Sequence, residues 1–292
     1  MTTGKTKAIG IIGWPVGHSL SPLIHNAAFA GLGLDYTYIP LPVQPGQLGQ
    51  GIAGLKALGF SGANVTVPYK VAVMDYLDEI HASAQLVGAV NTIVVQEGRC
   101  IGYNTDAEGF ILSLKASQVD ISGKNAVLLG AGGAARAVVC GLMEHGIRKV
   151  TIGARNAGKA GTFAGTFEPT VEVVGCGWQE NIFQSALGDC DILIQCTSLG
   201  MFPRLHEEPP LDWQKVNCSA TVCDLIYNPR MTQFLLTAAG RGHKVVGGEG
   251  MLVEQGAYAF FIWTGQQAPR DIMYKIINEQ FETMTSNKDG CG

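Results

Sequence analysis

The sequence predicts an α/β protein of two domains: a mainly parallel α/β domain at the N-terminus, then a doubly wound nucleotide-binding domain. Three observations predict it. Short apolar runs of strand length alternate with helical stretches, which favours a largely parallel sheet covered on both faces. A glycine-rich loop, GAGGAA at 130–135, opens a second βαβ series near the middle of the chain. The length of 292 residues, with 47% hydrophobic content, suffices for two ordinary cores, and 39 glycines without a collagen-like or low-complexity period supply tight turns.

Taken in order, KAIGIIG is a buried strand, apolar after Lys7. SPLIHNAAFAGLG follows as a helix with Ser21 as N-cap and Pro22 at the first helical position, where a missing N–H costs nothing. YTYIPLPV is a second strand, and Pro40 and Pro42, which cannot donate to a ladder, place it at a sheet edge or strand end. QLGQGIAGLKALG reads as a helix, GANVTV as a further strand, and NTIVVQEGRCIGYNT as a hairpin turning near Glu97 and Gly98. From about Glu108 a helix leads to the second series, with strands AVLLG, KVTIGA, VEVVG, DILIQC, TVCDLI and HKVVG. After Gly250 two helical stretches, MLVEQGAYAFFIWTG and RDIMYKIINEQFETM, have no strand of their own to cover, so they are expected to return to the first domain. The predicted domains are therefore 1–107 completed by 250–292, and 108–249.

A formal net charge of −4 from only 15% charged residues, without long runs, gives no footing for nucleic acid or an acidic membrane surface and suits a small, mostly neutral substrate. The eight cysteines, Cys100, Cys140, Cys176, Cys190, Cys196, Cys218, Cys223 and Cys291, form no CxxC pair and no zinc-like spacing with histidine. They read as small buried hydrophobes of a reducing compartment. The apolar stretch at the N-terminus is too short for a signal peptide or a membrane span, so a cytoplasmic location is expected. The tail TSNKDGCG is expected to fray, exposing Cys291.

GAGGAA fits GxGxxA. Gly130 allows a tight turn, Gly132 lets a diphosphate approach backbone N–H groups, and Ala135 permits close packing of helix on strand. Such glycines also serve plain packing elsewhere; here the loop follows an apolar strand and opens an alanine-rich helix, which points to a dinucleotide. The end of the next strand then selects the cofactor. Where an NAD enzyme commonly carries a carboxylate, this chain has Arg155 with Asn156 and Lys159 close by, a set that suits the 2′-phosphate of NADP. The alternative is an ordinary surface arginine.

A second cluster lies in the first domain. Ser19 and Ser21 stand just before a helix start, where hydroxyls and free N–H groups can receive a carboxylate, although serines there are also simple caps. His18 and His25 have no carboxylate or cysteine at useful spacing and read as structural. Lys70 stands at a strand's C-terminal end, where α/β sheets place their ligand crevices, and Asn91, Asn104 and Asp106 occupy similar ends. If these ends are neighbours, Lys70 and Asp106 form an ion pair facing a cleft between the domains. The competing reading is a surface salt bridge contributing under roughly 1 kcal/mol.

Seven segments in order, GHSLSPLIHN, NVTVPYK, GAVNT, GYNTDAEG, GAGGAA, DLIYNP and GMLVEQGA, resemble the signatures of the shikimate dehydrogenases, NADP enzymes of the shikimate pathway, over nearly the whole chain. The resemblance implies an N-terminal substrate domain and a C-terminal Rossmann NADP-binding domain. It implies that Ser19 and Ser21 bind the substrate carboxylate, that Thr66, Asn91, Asp106, Tyr227 and Gln255 meet the ring hydroxyls, and that Lys70 and Asp106 form the catalytic pair. Gly130, Ala131, Gly132, Gly133 and Ala134, with Arg155, Asn156 and Lys159, would hold the phosphates and adenosine ribose, and Leu225 and Gly248 would lie beside the nicotinamide. The chain departs from the family pattern at Gln195 and Cys196, at Ala154 where an asparagine is usual, and at Glu249 where an apolar residue is frequent.

The implied reaction is reversible reduction of 3-dehydroshikimate to shikimate, in which Lys70 meets the charge developing on the ketone oxygen and Asp106 orients it. The cleft is expected to close on ligand binding. Partners would be the small-molecule substrate and NADP, without metal, nucleic acid or membrane, on a monomer or homodimer. The rival readings are a quinate or dual quinate/shikimate dehydrogenase, which the residues around Ser19, Ser21 and Tyr227 would decide, and a non-catalytic NADP-binding regulator, which has no use for a proton donor.

Overall fold

A computed structural model describes residues 2–289, in two compact units: Met1–Gly109 with Val253–Gly292, and Phe110–Leu252. The first begins with β1 (Lys7–Gly13), α1 (Ser21–Gly31), β2 (Tyr36–Pro42), α2 (Leu48–Ala57), β3 (Gly62–Val65) and a 3-10 turn at Ala72–Tyr76. It continues with β4 (Glu79–Ile80), α3 (Ala82–Val87), β5 (Thr92–Gln96) and β6 (Arg99–Tyr103), and α4 (Asp106–Ala116) leads out of it.

The sheet order is β2-β1-β3-β5-β6-β4, with β2 at the edge where its two prolines leave no ladder bond unmade. Helical crossovers through α1 and α2 make β1, β2 and β3 parallel. The two-residue turn at Glu97 (φ 51°) and Gly98 (φ 75°) makes β5 and β6 antiparallel, and β5 is also antiparallel to β3. The sheet is thus mixed. Helix α1 buries Ser21, Ile24, His25, Ala28 and Phe29, a stripe at helical spacing. Its N-cap is Leu20, one residue earlier than expected, because the Ser19 hydroxyl accepts from the Ser21 N–H (3.2 Å) and turns the chain there, drawing Ser21 into the first turn.

The second unit holds β7 (Asn125–Leu129), α5 (Gly133–Glu144), β8 (Lys149–Ala154), α6 (Ala157–Ala164), β9 (Glu172–Gly177) and α7 (Asn181–Gly188). Then come β10 (Ile192–Gln195), β11 (Thr221–Asp224), α8 (Gln233–Gly240) and β12 (Val245–Val246), and the order β12-β11-β10-β7-β8-β9 is parallel throughout. Consecutive apolar residues split between two cores: Leu128, Ile152 and Ile194 pack on one face, Val127, Leu129 and Leu193 on the other. That is why these strands read as unbroken apolar runs. The order reverses between β7 and β10, the switch point where doubly wound sheets bind ligands.

Two helices end the chain, α9 (Glu249–Thr264) and α10 (Arg270–Asp289), and from Val253 onward they belong to the first unit. The Trp263 indole donates to the Ile93 carbonyl (2.9 Å), and Phe260 stacks on Phe29 with centroids 5.1 Å apart. The buried Glu254 carboxylate takes Arg270 (2.7 Å) and the Tyr274 hydroxyl (3.2 Å), which satisfies both oxygens and pins α10 to α9. A Cβ at Gly62 would collide with the Ile93 carbonyl and the Trp263 indole. Gly62→Ala is therefore expected to destabilise by roughly 1–3 kcal/mol; an unchanged urea midpoint would show that this contact is slack.

Helix α10 continues to Asp289 through most of the tail expected to fray, and Cys291 lies outside the described residues. Cys100, Cys140, Cys176, Cys190 and Cys223 are buried, Cys196 is half-buried and Cys218 is exposed. Burial pushes the Cys140, Cys176 and Cys190 thiols up to about 11 and Cys223 to about 12, so these side chains stay protonated and inert. Among the described residues no helix is long and apolar enough to cross a membrane, and no cluster of His, Cys, Asp or Glu could hold a metal ion.

Candidate active site

Topology brings the first cluster together. The C-terminal ends of parallel β1 and β3 lie at one side of the sheet; because β5 runs backwards, its N-terminal end arrives at the same side, with Asn64 opposite Thr92. Strand β6 reverses again, so Tyr103 pairs with Thr92 and the next residues, Asn104 to Asp106, end up there too. Three strand ends and one strand start thus supply the polar groups.

Lys70 follows β3 on a fixed backbone. The Tyr69 N–H donates to the Thr66 carbonyl (2.9 Å), the Tyr69 hydroxyl donates to the Val43 carbonyl (2.8 Å), and the Lys70 carbonyl accepts from the Val90 N–H (2.7 Å). Only the lysine side chain is left to move, and it is 30% exposed. Its ammonium lies 2.6 Å from Asp106 Oδ2, the expected ion pair, with the aspartate side chain 11% exposed. Asp106 opens α4, where a negative charge is favoured by the helix dipole, and its N–H donates to Asn104 Oδ1 (3.0 Å). The second oxygen, Oδ1, accepts from Asn91 Nδ2 (2.8 Å). Gln255 Oε1, on α9, lies 3.5 Å from both Asn91 Nδ2 and Thr105 Oγ1. Lys70, Asn91, Asp106 and Gln255 therefore form one group.

Two residues that sequence reasoning passed over complete it. Asn64 is buried inside β3; its Oδ1 accepts from the Tyr38 hydroxyl (2.6 Å), and its Nδ2 donates to the Asn91 carbonyl (3.0 Å) and to Thr92 Oγ1 (3.1 Å). Thr105, wholly buried, donates its N–H to Asn91 Oδ1 (2.8 Å). An asparagine within a four-residue buried strand was the available signal, since such an amide must find partners inside. Ser21 is buried with its hydroxyl directed to the Tyr38 phenol, whose proton burial holds on well above the ordinary value. Thr66 donates its N–H to the Ile12 carbonyl (2.8 Å) and packs its methyl on Gly13.

The second unit holds the remaining candidates. Gly130 follows β7 at φ +109°, left-handed backbone that a side chain would strain, and a Cβ there would also meet Thr197 Cγ2 at 2.8 Å. Gly132 caps α5 with no side-chain hydrogen bond, and neither Gly132 nor Gly133 has anything within 4 Å of where a Cβ would stand. The first-turn N–H groups thus face an open cradle, with Ala131 half-buried beside it and Ala134 exposed, while Ala135 is buried against the sheet. Arg155 and Lys159 are exposed past the end of β8, and Asn156 Oδ1 caps α6 by accepting from the Lys159 N–H (2.9 Å). Open N–H groups with two exposed cations at the adjoining strand end fit the diphosphate and 2′-phosphate of a dinucleotide.

Leu225, Tyr227 and Gly248 sit in this unit too. Asp224, the buried last residue of β11, accepts from the Ile226 N–H (2.9 Å) and the Thr232 hydroxyl (2.6 Å), and Thr232 in turn caps α8; this holds the loop that carries Leu225 and Tyr227. Burial pushes Asp224 up to about 6 against both hydrogen bonds and raises the Tyr227 phenol. A Cβ on Gly248 would strike the Leu225 carbonyl, so only glycine fits. Two of the departures, Gln195 and Glu249, have local accounts. Gln195 is fully buried and clamps its own loop, its amide oxygen taking the Thr197 N–H (2.5 Å) and its nitrogen donating to the Leu199 carbonyl (2.8 Å). Glu249 opens α9, where the dipole favours it, and lies 3.4 Å from Arg230.

A glycine cradle at a doubly wound switch point, together with a lysine–carboxylate pair on the other unit, defines the class of dinucleotide-dependent dehydrogenases. Three family models match: the shikimate dehydrogenase substrate binding domain over residues 11–93, shikimate / quinate 5-dehydrogenase over 112–208, and the shikimate 5'-dehydrogenase C-terminal domain over 248–277. The chain is 46% identical to a shikimate dehydrogenase (NADP(+)) of Moorella thermoacetica, covering 94% of each, and 42% identical to that of Desulforamulus reducens, covering 95% of this chain and 96% of the relative. The crystal structure of shikimate 5-dehydrogenase from Thermus thermophilus in complex with NADP(H) and shikimate superposes with a TM-score of 0.84 at 34% identity, covering 94% of this chain and 99% of that one. The chain belongs to the shikimate dehydrogenase family.

Proposed function

We propose that this chain catalyses the reversible NADP-dependent reduction of 3-dehydroshikimate to shikimate. The observation that carries the reading is the Lys70 ammonium, held at 2.6 Å by a carboxylate that is itself fixed by Asn91, in the unit whose sequence matches the family's substrate-binding model. The first unit is then the substrate domain and the second the NADP-binding domain.

When bound, NADPH is the source of the hydride. Lys70 carries the proton that the ketone oxygen takes up, and its flexible stem gives the ammonium reach. Asp106 and Asn91 hold that ammonium in place, and with Thr66, Tyr227 and Gln255 they meet the ring hydroxyls. Ser19 and Ser21 take the substrate carboxylate at the start of α1. The Gly130–Ala134 cradle takes the diphosphate, Arg155, Asn156 and Lys159 the 2′-phosphate and adenosine ribose, and Leu225 and Gly248 the nicotinamide face.

Initial rates with shikimate and quinate, each with NADP and NAD, test this. Turnover of shikimate with NADP is expected to dominate; failure with every pairing would leave only a non-catalytic nucleotide-binding protein. Quinate is the second reading because one matching family model spans both activities. Arg155→Ala is expected to weaken NADP binding by about 10–100-fold, the worth of one or two charge-assisted hydrogen bonds, while leaving NAD binding within about threefold. Equal losses for both cofactors in fluorescence titration would remove Arg155 from phosphate recognition.

A further inference from the structure

We infer that Thr92, which no feature of the resemblance assigns, is a positioning residue for the Lys70–Asp106 pair and acts through Asn91; this rests on the function proposed above. Thr92 is wholly buried at the start of β5, and its hydroxyl stands between two amides. It accepts from Asn64 Nδ2 (3.1 Å) and donates to Asn91 Oδ1 (3.0 Å).

That donation matters because an amide has two ends of nearly equal shape and opposite hydrogen-bonding sense. Asn91 serves the ion pair only when Nδ2 faces Asp106 Oδ1, which requires Oδ1 to face the other way, toward donors. Three donors stand there: the Thr105 N–H at 2.8 Å, the Thr92 hydroxyl at 3.0 Å and, more distant, the Thr105 hydroxyl at 3.3 Å, which also accepts from Asn91 Nδ2 at 2.9 Å. Removing the Thr92 hydroxyl leaves only the donors of Thr105, of which the hydroxyl is the longer at 3.3 Å, and also takes a partner from Asn64 Nδ2, which keeps the Asn91 carbonyl at 3.0 Å. Asp106 then loses part of the hold on its Oδ1, and Lys70, bound only to Oδ2, loses its fixed aim. The same hydroxyl joins the Tyr38–Asn64 hydrogen bond to the catalytic pair, so one buried chain runs from β2 to Lys70.

The test compares Thr92→Val, which keeps shape and removes the hydroxyl, with Thr92→Ser, which restores it. In Thr92→Val kcat is expected to fall about tenfold, the worth of one buried hydrogen bond, with KM for shikimate changed less than twofold. The deuterium isotope effect on kcat should rise, because the chemical step becomes slower, and Thr92→Ser should recover most of the rate. The decisive comparison is made in an Asn91→Ala background: if Thr92 acts through Asn91, Thr92→Val has no further effect on kcat there. An equal tenfold loss in both backgrounds, or a loss confined to thermal stability with kcat and isotope effect unchanged, overturns the inference. Should Thr92→Val not fold, Thr92→Ala against Thr92→Ser is read in the same way. If the unsubstituted enzyme does not turn over shikimate, the functional reading itself has failed; if it does and Thr92→Val matches it, only the role of Thr92 has.

Discussion

Lys70→Ala is expected to fold and to lose kcat by about 10²–10⁴-fold, the usual reach of a positioned acid or base. The backbone on either side of Lys70 is held by three hydrogen bonds that do not involve its side chain, so the substitution leaves the turn after β3 in place. What disappears is the one ammonium bonded to Asp106. Asp106 keeps the Asn91 amide on Oδ1 and the Asn104 contact to its backbone N–H, so the carboxylate stays where it was. KM for shikimate is expected to change much less than kcat, since in the proposed mechanism Lys70 acts on charge present only as hydride arrives, and the proposed ring-hydroxyl partners Asn91, Asp106 and Gln255 remain. Near-normal turnover by this variant would falsify the assignment of Lys70 as proton donor. A second variant, Lys70→Met, keeps the stem and separates loss of the charge from loss of packing.

How much of this was legible in the sequence depends on the kind of signal. Apolar runs such as AVLLG and the ILI of DILIQC marked the strands of the second unit, because both sheet faces are covered and most positions are apolar. Pro40 and Pro42 placed β2 at an edge, since a missing donor is a local fact. Strand β4, two residues long, and the six-residue α3 left no trace: elements that short have no period to detect, and pairing with β6 makes β4 a strand. At the site, Lys70, Asn91 and Asp106 were readable as strand-end residues. Thr92 and Thr105 were not, and Asn64 only as a polar residue inside a short buried strand, because their importance lies in register: only the antiparallel pairing of β5 with β3 and β6 brings these polar side chains against Asn91. Cross-strand hydrogen bonds of this kind join residues 13–28 positions apart and have no local signature. The Ser21 cap was misplaced by one residue for a related reason, since the Ser19 side chain, rather than the helix sequence, decides where α1 starts.

His25→Phe is expected to make stability less sensitive to acid. The imidazole is fully buried on the inner stripe of α1, stacked on Tyr38 at 4.6 Å and edge-on to Trp263 at 5.3 Å, and neither ring nitrogen has a hydrogen-bond partner. Burial therefore lowers its proton affinity from the ordinary 6.5 to about 3. Between those values the unfolded chain binds a proton that the native protein refuses, so the stability gained by keeping His25 neutral is complete above pH 6.5 and is lost on acidification. The loss is about 1.4 kcal/mol per pH unit, reaching roughly 5 kcal/mol near pH 3. Asp224 works the other way. Its affinity is raised from 3.8 to about 6, so the native state holds the extra proton across that window and gains roughly 3 kcal/mol as pH falls through it. The two contributions partly cancel in the unsubstituted protein, and the pH profile of its stability alone cannot separate them. The difference between His25→Phe and the unsubstituted chain can, because Asp224 is common to both. Phenylalanine reaches further than imidazole, and the Nε2 edge lies 3.5 Å from where a Cβ on Gly256 would stand, so an overpacking cost of about 1–3 kcal/mol is expected at neutral pH. That cost does not titrate. Urea denaturation from pH 7 to pH 4 should therefore show the variant gaining on the unsubstituted protein by about 1.4 kcal/mol per unit below pH 6.5; a gap that stays constant over this range would mean that His25 takes up its proton in the folded state as readily as in the unfolded one.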